Sequence, residues 1–393
     1  MAIRRAAGSM SAFLTTVLVA PAFAQFVADK SDAPIGNSSF HSSAPQATAG
    51  YAPMWTDDGG ATHEFPDQTA GGTYTTNDFR LRTPADGQSY EFDGQLVLNN
   101  ANAREGGLMY KGQSNTGVIT INDLVLAGGH IAHQNGTGDL FQLAGNISVT
   151  APSTVDAKQG NIEISSAISG SGDLTIAATD NNADATQRIV TLLGENTLTG
   201  NVNVSGKLRL GTTGSLTFDI GSNGVNNAVV GTGWAEFNGV FHFDLTGASS
   251  TLGDSWTIVD VAAPSFGSSF GVAGFTEIND VWTSGMYRFA ESTGILSVSA
   301  APGDVNGDGF VNDVDYQIIL AHLEQPASSR GEGDLNGDGV VNLNDFAEWR
   351  LARETASANS TMVPEPAAAG QLVAAAMVLV VVGGRGRRRR TPR

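Results

Sequence analysis

The sequence contains no cysteine. Disulfides, catalytic thiols and Cys-based zinc or iron–sulfur sites are therefore excluded. Charged residues are scarce, at 15% of 393, and Lys plus Arg number only 21 against 39 Asp plus Glu. The resulting net charge of −18 argues against a nucleic-acid partner, which requires a basic face. Between Tyr74 and Ala300 no stretch carries the apolar period of a long amphipathic helix. What is abundant is glycine, with 49 residues, together with Thr, Asn and Ser. That is the composition of a β-rich extracellular chain, and its length suits two or three domains.

From Tyr74 onward short runs alternate apolar and polar residues, as at Gln95, Leu96, Val97 and Leu98, or Asn161, Ile162, Glu163 and Ile164. Period two with Gly and Asn breaks predicts strands. Strands recur without helices between them, and similar corners return roughly every 20 to 25 residues, which predicts a β-solenoid. Each rung would bury Ile, Val and Leu and show Thr, Ser and Asn. A β-sandwich, with antiparallel pairing, is the alternative. Residues 170–211 carry a Gly-x-Leu-Thr segment, then Leu193, Gly194, Asn196, Thr197 and Gly200, then Leu208, Leu210 and Gly211. This resembles the autotransporter-associated β-strand repeat, which implies a right-handed parallel β-helix of a bacterial surface. Residues 234–300 concentrate Trp234, Phe237, Phe241, Phe243, Trp256, Phe266, Phe270, Phe275, Trp282, Tyr287 and Phe289. They are read as an aromatic β cap closing the solenoid, or alternatively as a platform for stacking sugars.

Both ends are legible. Arg4 and Arg5, an apolar run over 12–20 and the small-x-small set Ala22, Phe23, Ala24 read as a signal peptide, with the mature chain beginning at Gln25. Pro364, Glu365 and Pro366 precede an apolar run over 367–384, and arginines crowd 385–390. Eighteen mostly apolar residues can cross a bilayer, with the arginines cytoplasmic. This tail resembles the PEP-CTERM sorting signal, which implies an exosortase-type sorting protease as a partner. A permanent membrane anchor is the alternative.

The most specific pattern occurs twice. Asp304, Asn306, Asp308, Phe310, Asn312 and Asp315 repeat as Asp334, Asn336, Asp338, Val340, Asn342 and Asp345. Oxygen side chains at loop positions 1, 3, 5, 9 and 12, with Gly309 and Gly339 at position 6, make the calcium-loop arrangement. Phe310 and Val340 would contribute backbone carbonyls, and the module would hold two Ca²⁺ ions. Val311 and Val341 are expected to pair the loops across a short bridge. Each loop runs into an apolar helical pattern, but neither has a good entering helix. The module resembles the type I dockerin family over about residues 302–353. That resemblance implies a cohesin-like partner. At positions 10 and 11, where the family has a small hydroxyl pair, this chain has Asp313 with Val314 and Leu343 with Asn344.

A search for catalytic constellations yields none. His130 and His133 would face opposite ways in a strand. Glu163, Glu195, Glu236 and Asp244 could supply a glycosidase pair only if two carboxyls converge in a cleft. The expected class is mainly β: a flexible lead over 25–73, a parallel β-helix (solenoid) over 74–233 and an aromatic β cap over 234–300. A small α calcium-binding module over 302–353, a linker over 354–366, one C-terminal apolar helix over 367–384 and an Arg-rich tail over 385–393 complete it. The expected function is a secreted, envelope-sorted protein of structural or adhesive role. The alternatives are a polysaccharide-binding or polysaccharide-degrading component, with a surface glycan as partner, and a plain assembly module.

Overall fold

The computed structural model describes residues 24–29, 40, 53–66, 71–100, 107–112, 117–134, 140–179, 188–299, 302–307, 310–327, 329–336 and 338–360. The expected signal peptide (apart from Ala24), apolar C-terminal helix and Arg-rich tail lie outside them. Among the described residues no helix is long and apolar enough to cross a membrane. The chain divides into two units, residues 1–298 and 299–393.

In the first unit the period-two runs become strands that stack in parallel into a β-solenoid. Three ladders of parallel strands form its sides. In the first, Phe26, Tyr74, Leu96, Leu124, Ile147, Ile168, Asn196, Leu216, Phe241 and Val272 lie in register. In the second, Leu81, Leu108, Ile131, Val155, Ile176 and Val204 do so. In the third, Tyr90, Ile119, Leu143, Ile164, Leu192, Leu210, Phe237 and Phe266 do. Nearly all these side chains join one continuous core. A single rung could not bury its apolar face; its neighbours above and below do so. Parallel pairing throughout these ladders removes the sandwich alternative.

Several strands are longer than expected because they bend through a corner. Phe141–Ala151 serves the third ladder and then the first, turning at Gly145. Gly145 has φ +111°, and a Cβ there would sit 1.9 Å from the Ile121 carbonyl oxygen. Only glycine tolerates both the backbone and the contact. Asn196 interrupts the apolar row at 2% exposure. Its amide donates to the carbonyls of Gly194 and Ser215 at 2.9 and 2.8 Å, tying two rungs together.

Two expected boundaries move. The segment read as a flexible lead contributes the strand Gln25–Ala28, which continues the first ladder and pairs antiparallel with Trp55–Thr56. Phe40, Met54 and Trp55 are fully buried. Trp55 meets Tyr74 edge-on at 5.2 Å, and Phe26 stacks on Tyr74 at 4.8 Å. These rings cover the first rung. At the other end the solenoid does not stop at 233; its ladders run on to Phe266 and Val272. The closing cap is a smaller antiparallel sheet of Ser255–Thr257, Ile295–Val298, Tyr287–Ala290, Val281–Ser284 and Thr276–Ile278. Phe237, Phe241, Phe266, Phe270 and Phe289 interlock beneath it. Of the aromatics read as a sugar platform, all but Trp234 are buried in the core or packed against it; Trp234 is half-buried on the third ladder, with the Arg209 guanidinium 6.0 Å from its ring.

The second unit contains helices α1 (Asp313–Ala321) and α2 (Leu343–Ser360). The segment 354–360, expected as linker, extends α2. Val305, Ile319, Val341 and Trp349 are its buried apolar residues. Leu320, although part of the apolar helical pattern that follows the first loop, is exposed.

Candidate metal centre

Each loop of the second unit is built around the carboxylate at its twelfth position. Asp315 is fully buried. One oxygen accepts the N–H groups of Val305 and Asn306 at 2.7 and 3.2 Å, and the other accepts that of Asn312 at 2.9 Å. Asp345 repeats this with Leu335 and Asn336 at 2.8 and 3.1 Å, and with Asn342 at 2.8 Å. Asn312 and Asn342 start the helices: their side-chain oxygens accept from Val314 and Asn344 at 2.7 and 2.8 Å. This satisfies helix-end donors that otherwise lack partners. The acid thus closes the loop and accepts the N–H of the capping Asn, while that Asn caps the helix.

The first position behaves alike in both copies. Asp304 and Asp334 are 1% and 7% exposed. Asp304 accepts the Gly307 N–H at 2.8 Å; Asp334 accepts those of Asp338 and Gly339 at 3.2 and 2.9 Å. Gly339 turns with φ +87° and open space where a Cβ would be, so conformation rather than crowding demands glycine there. Asn306, Asn336 and Asp338 are exposed, while Asp308 lies outside the described residues. The Phe310 and Val340 side chains are 71% and 40% exposed, so what these residues can offer the loop is backbone.

Residues 302–349 match the dockerin type I domain. No curated protein and no solved structure matches the chain. Dockerin type I domains bind calcium, and the donor set here fits a hard cation. The four buried carboxylates and the neighbouring amide oxygens offer oxygen donors only. Among the described residues no three acidic or histidine side chains already converge as a metal cluster.

The packing of the dockerin module shows what the sequence pattern missed. The expected bridge between Val311 and Val341 does not form. The Val341 N–H and carbonyl are taken by Gln325 and Glu324, at 3.0 and 2.7 Å, as the chain leaves α1. Each loop is instead tied to the opposite repeat. Trp349 of α2 donates through Nε1 to the Asn312 carbonyl at 3.2 Å, and Arg330 donates to the Asp304 carbonyl at 3.0 Å. A Cβ on Gly303 would press on Ala352 and Trp349, and one on Gly333 on Ile319. Of the residues at loop positions 10 and 11, Asp313 is held by Arg353, whose guanidinium lies 5.1 Å from the Trp349 ring. Both positions are exposed, the Asp313 side chain at 76% and Leu343 at 72%.

The other candidate residues do not assemble. His133 is fully buried beside the Tyr110 ring, whereas His130 lies 3.8 Å from Asp156 on the other face. Glu163 and Glu236 belong to the third ladder, with Thr191 and Arg209 between them. At about 4.8 Å per step that is roughly 14 Å. Arg209 pairs with Glu236 at 2.7 Å. Glu195 and Asp244 belong to the first ladder. Hydrogen bonds from Thr246 hold Asp244 below the usual carboxylate range, the wrong direction for a general acid.

Proposed function

We propose that the chain is an exported cell-envelope protein with a structural or adhesive solenoid body, held in place through a dockerin module that takes two calcium ions. The first ion is bound by Asp304, Asn306, Asp308, Asn312, Asp315 and the Phe310 carbonyl. The second is bound by Asp334, Asn336, Asp338, Asn342, Asp345 and the Val340 carbonyl. The observation that carries this reading is the pair of loops built alike around buried Asp315 and Asp345. The resemblance of residues 170–211 to surface β-helix repeats and the Pro-Glu-Pro tail support the envelope location. In this reading the tail directs the protein through the inner membrane and is removed by an exosortase-type protease.

Isothermal titration of the chelator-stripped chain tests the calcium count. Two ions per chain are expected, and Asp308→Ala or Asp338→Ala leaves one. A single ion in the unaltered chain would defeat the assignment. A cohesin-like partner is retained only in calcium, through the open Leu343 side of α2. Intact mass of the envelope-associated protein tests sorting: it lacks residues 367–393 if the tail is cut.

A further inference from the structure

The body carries a shallow, open groove of about 390 Å³ at the corner where the first ladder passes into the second. Three successive turns line it, with Asp173 from one, Thr199 and Asn201 from the next, and Asp219, Val225 and Asn227 from the third. Its walls are stapled together by the residues that line it. Asp173 accepts the Asn201 N–H at 2.8 Å, and Asn201 accepts the Ala228 N–H at 2.9 Å. Asn227 donates to the Leu198 carbonyl at 2.7 Å and accepts from the Asp219 N–H at 2.7 Å. The shape therefore exists before any ligand arrives, which lowers the ordering cost of binding.

Groups with no internal use remain. Among the described residues the second oxygen of Asp173, the amide nitrogen of Asn201 and the carboxylate of Asp219 have no hydrogen bond to the protein. Two carboxylates with no Lys, Arg or His in the lining would repel an anion. The absence of an aromatic side chain from the lining leaves no stacking surface for a planar ring. Two carboxylates alone do not make a metal centre, and no third acidic or histidine side chain joins them among the described residues. What fits is a ligand rich in hydroxyls that also presents C–H faces, which Val225, 59% exposed, can meet.

The geometry points to this groove as a binding site for a neutral polysaccharide, with sugar hydroxyls donating to Asp173 and Asp219 and accepting from the Asn201 amide. The site is separate from the calcium loops, so it stands or falls independently of the dockerin reading. The test titrates the full chain, in calcium and in chelator, with soluble β-glucan, mannan, xylan and starch. Polygalacturonate serves as the anionic control. Saturable binding to at least one neutral polymer, unchanged by chelator, is expected. Asp219→Ala and Asn201→Asp should each weaken it about tenfold, the scale of one hydrogen bond to a charged or well-placed group. Asn201→Asp keeps the oxygen that accepts from Ala228, and Asp219 has no side-chain partner to lose, so the β signal in circular dichroism should not change. Binding to no neutral polymer, preference for polygalacturonate, loss in chelator, or indifference to both substitutions would each overturn the proposal.

Discussion

In the solenoid body the fully buried positions are overwhelmingly aliphatic or aromatic, whereas among the described residues of the dockerin module buried carboxylates match buried hydrophobics in number. Asp304, Asp315, Asp334 and Asp345 are as inaccessible as Val305, Ile319, Val341 and Trp349. Burying a carboxylate is costly unless it is hydrogen-bonded and its charge is met. The backbone N–H groups around Asp315 and Asp345 answer the first requirement but bring no full positive charge. A module with so small an apolar core is marginal without a staple. The body gains stability by repetition, each rung covering the next. The module relies on acids arranged for a cation, so metal binding becomes folding energy.

Chelation should separate the two regions most sharply. Stripping calcium from the full chain is expected to abolish the helical signal of α1 and α2 while leaving the β signal of the body intact. Circular dichroism in calcium and in chelator measures it; a helical signal indifferent to chelator would erase the contrast. The next effect is local to one carboxylate. Asp345→Ala orphans the N–H groups of Leu335, Asn336 and Asn342. At about 1 kcal/mol or more for each lost hydrogen bond, the cost is roughly 3 kcal/mol, in addition to a lost metal ligand. The calcium concentration needed to fold the module should rise by about a hundredfold or more.

How far the sequence anticipates the molecule follows the same division. Ile162, Ile164, Leu174 and Ile176 show their inward faces because period two is imposed by the strand itself. The sequence places the solenoid end too early because a rise in aromatics looks like a change of architecture. In the third ladder Phe237 and Phe266 simply take the place of Leu192 and Leu210 in the same row. The plug of Phe40, Met54 and Trp55 has no periodic signature, since it covers an end and belongs to no ladder of rungs. The calcium loops are legible because ligand spacing is fixed by a tight turn. Pairing between repeats is not: it depends on where the chain leaves α1, at Glu324 with φ +62°. Arg330 and Arg353 carry no pattern at all, because their roles arise only when the repeats pack.

A milder substitution sharpens the contrast from the side of the body. Ile164→Val removes one methylene from a fully buried row between Leu143 and Leu192. The expected cost is about 1 kcal/mol, read as a lower denaturant midpoint for the β signal. Calcium titration of the same variant should be unchanged, because the module has its own core. A shifted calcium response would show that the two regions fold as one.

The smallest effect concerns an acid in the body that meets no cation among the described residues. Burial, followed by the neighbouring carboxylates of Asp280 and Glu277, pushes Glu291 above its ordinary value of 4.5, against a lowering hydrogen bond from Trp282 Nε1. That hydrogen bond is 2.7 Å long. A carboxyl whose pKa is higher folded than unfolded holds its proton more tightly in the native state. Stability therefore falls as pH rises from about 4.5 through the raised value, and the penalty is complete at neutral pH. Glu291→Gln keeps an oxygen for Trp282 and discards the charge. It should raise the denaturant midpoint of the body slightly at neutral pH and make no difference well below pH 4.5. The sign distinguishes the two regions: removing a charge at Asp345 weakens the module, while removing one at Glu291 strengthens the body. A neutral-pH loss of stability in Glu291→Gln would mean that the carboxylate is held by a favourable partner and that the contrast does not extend to this site.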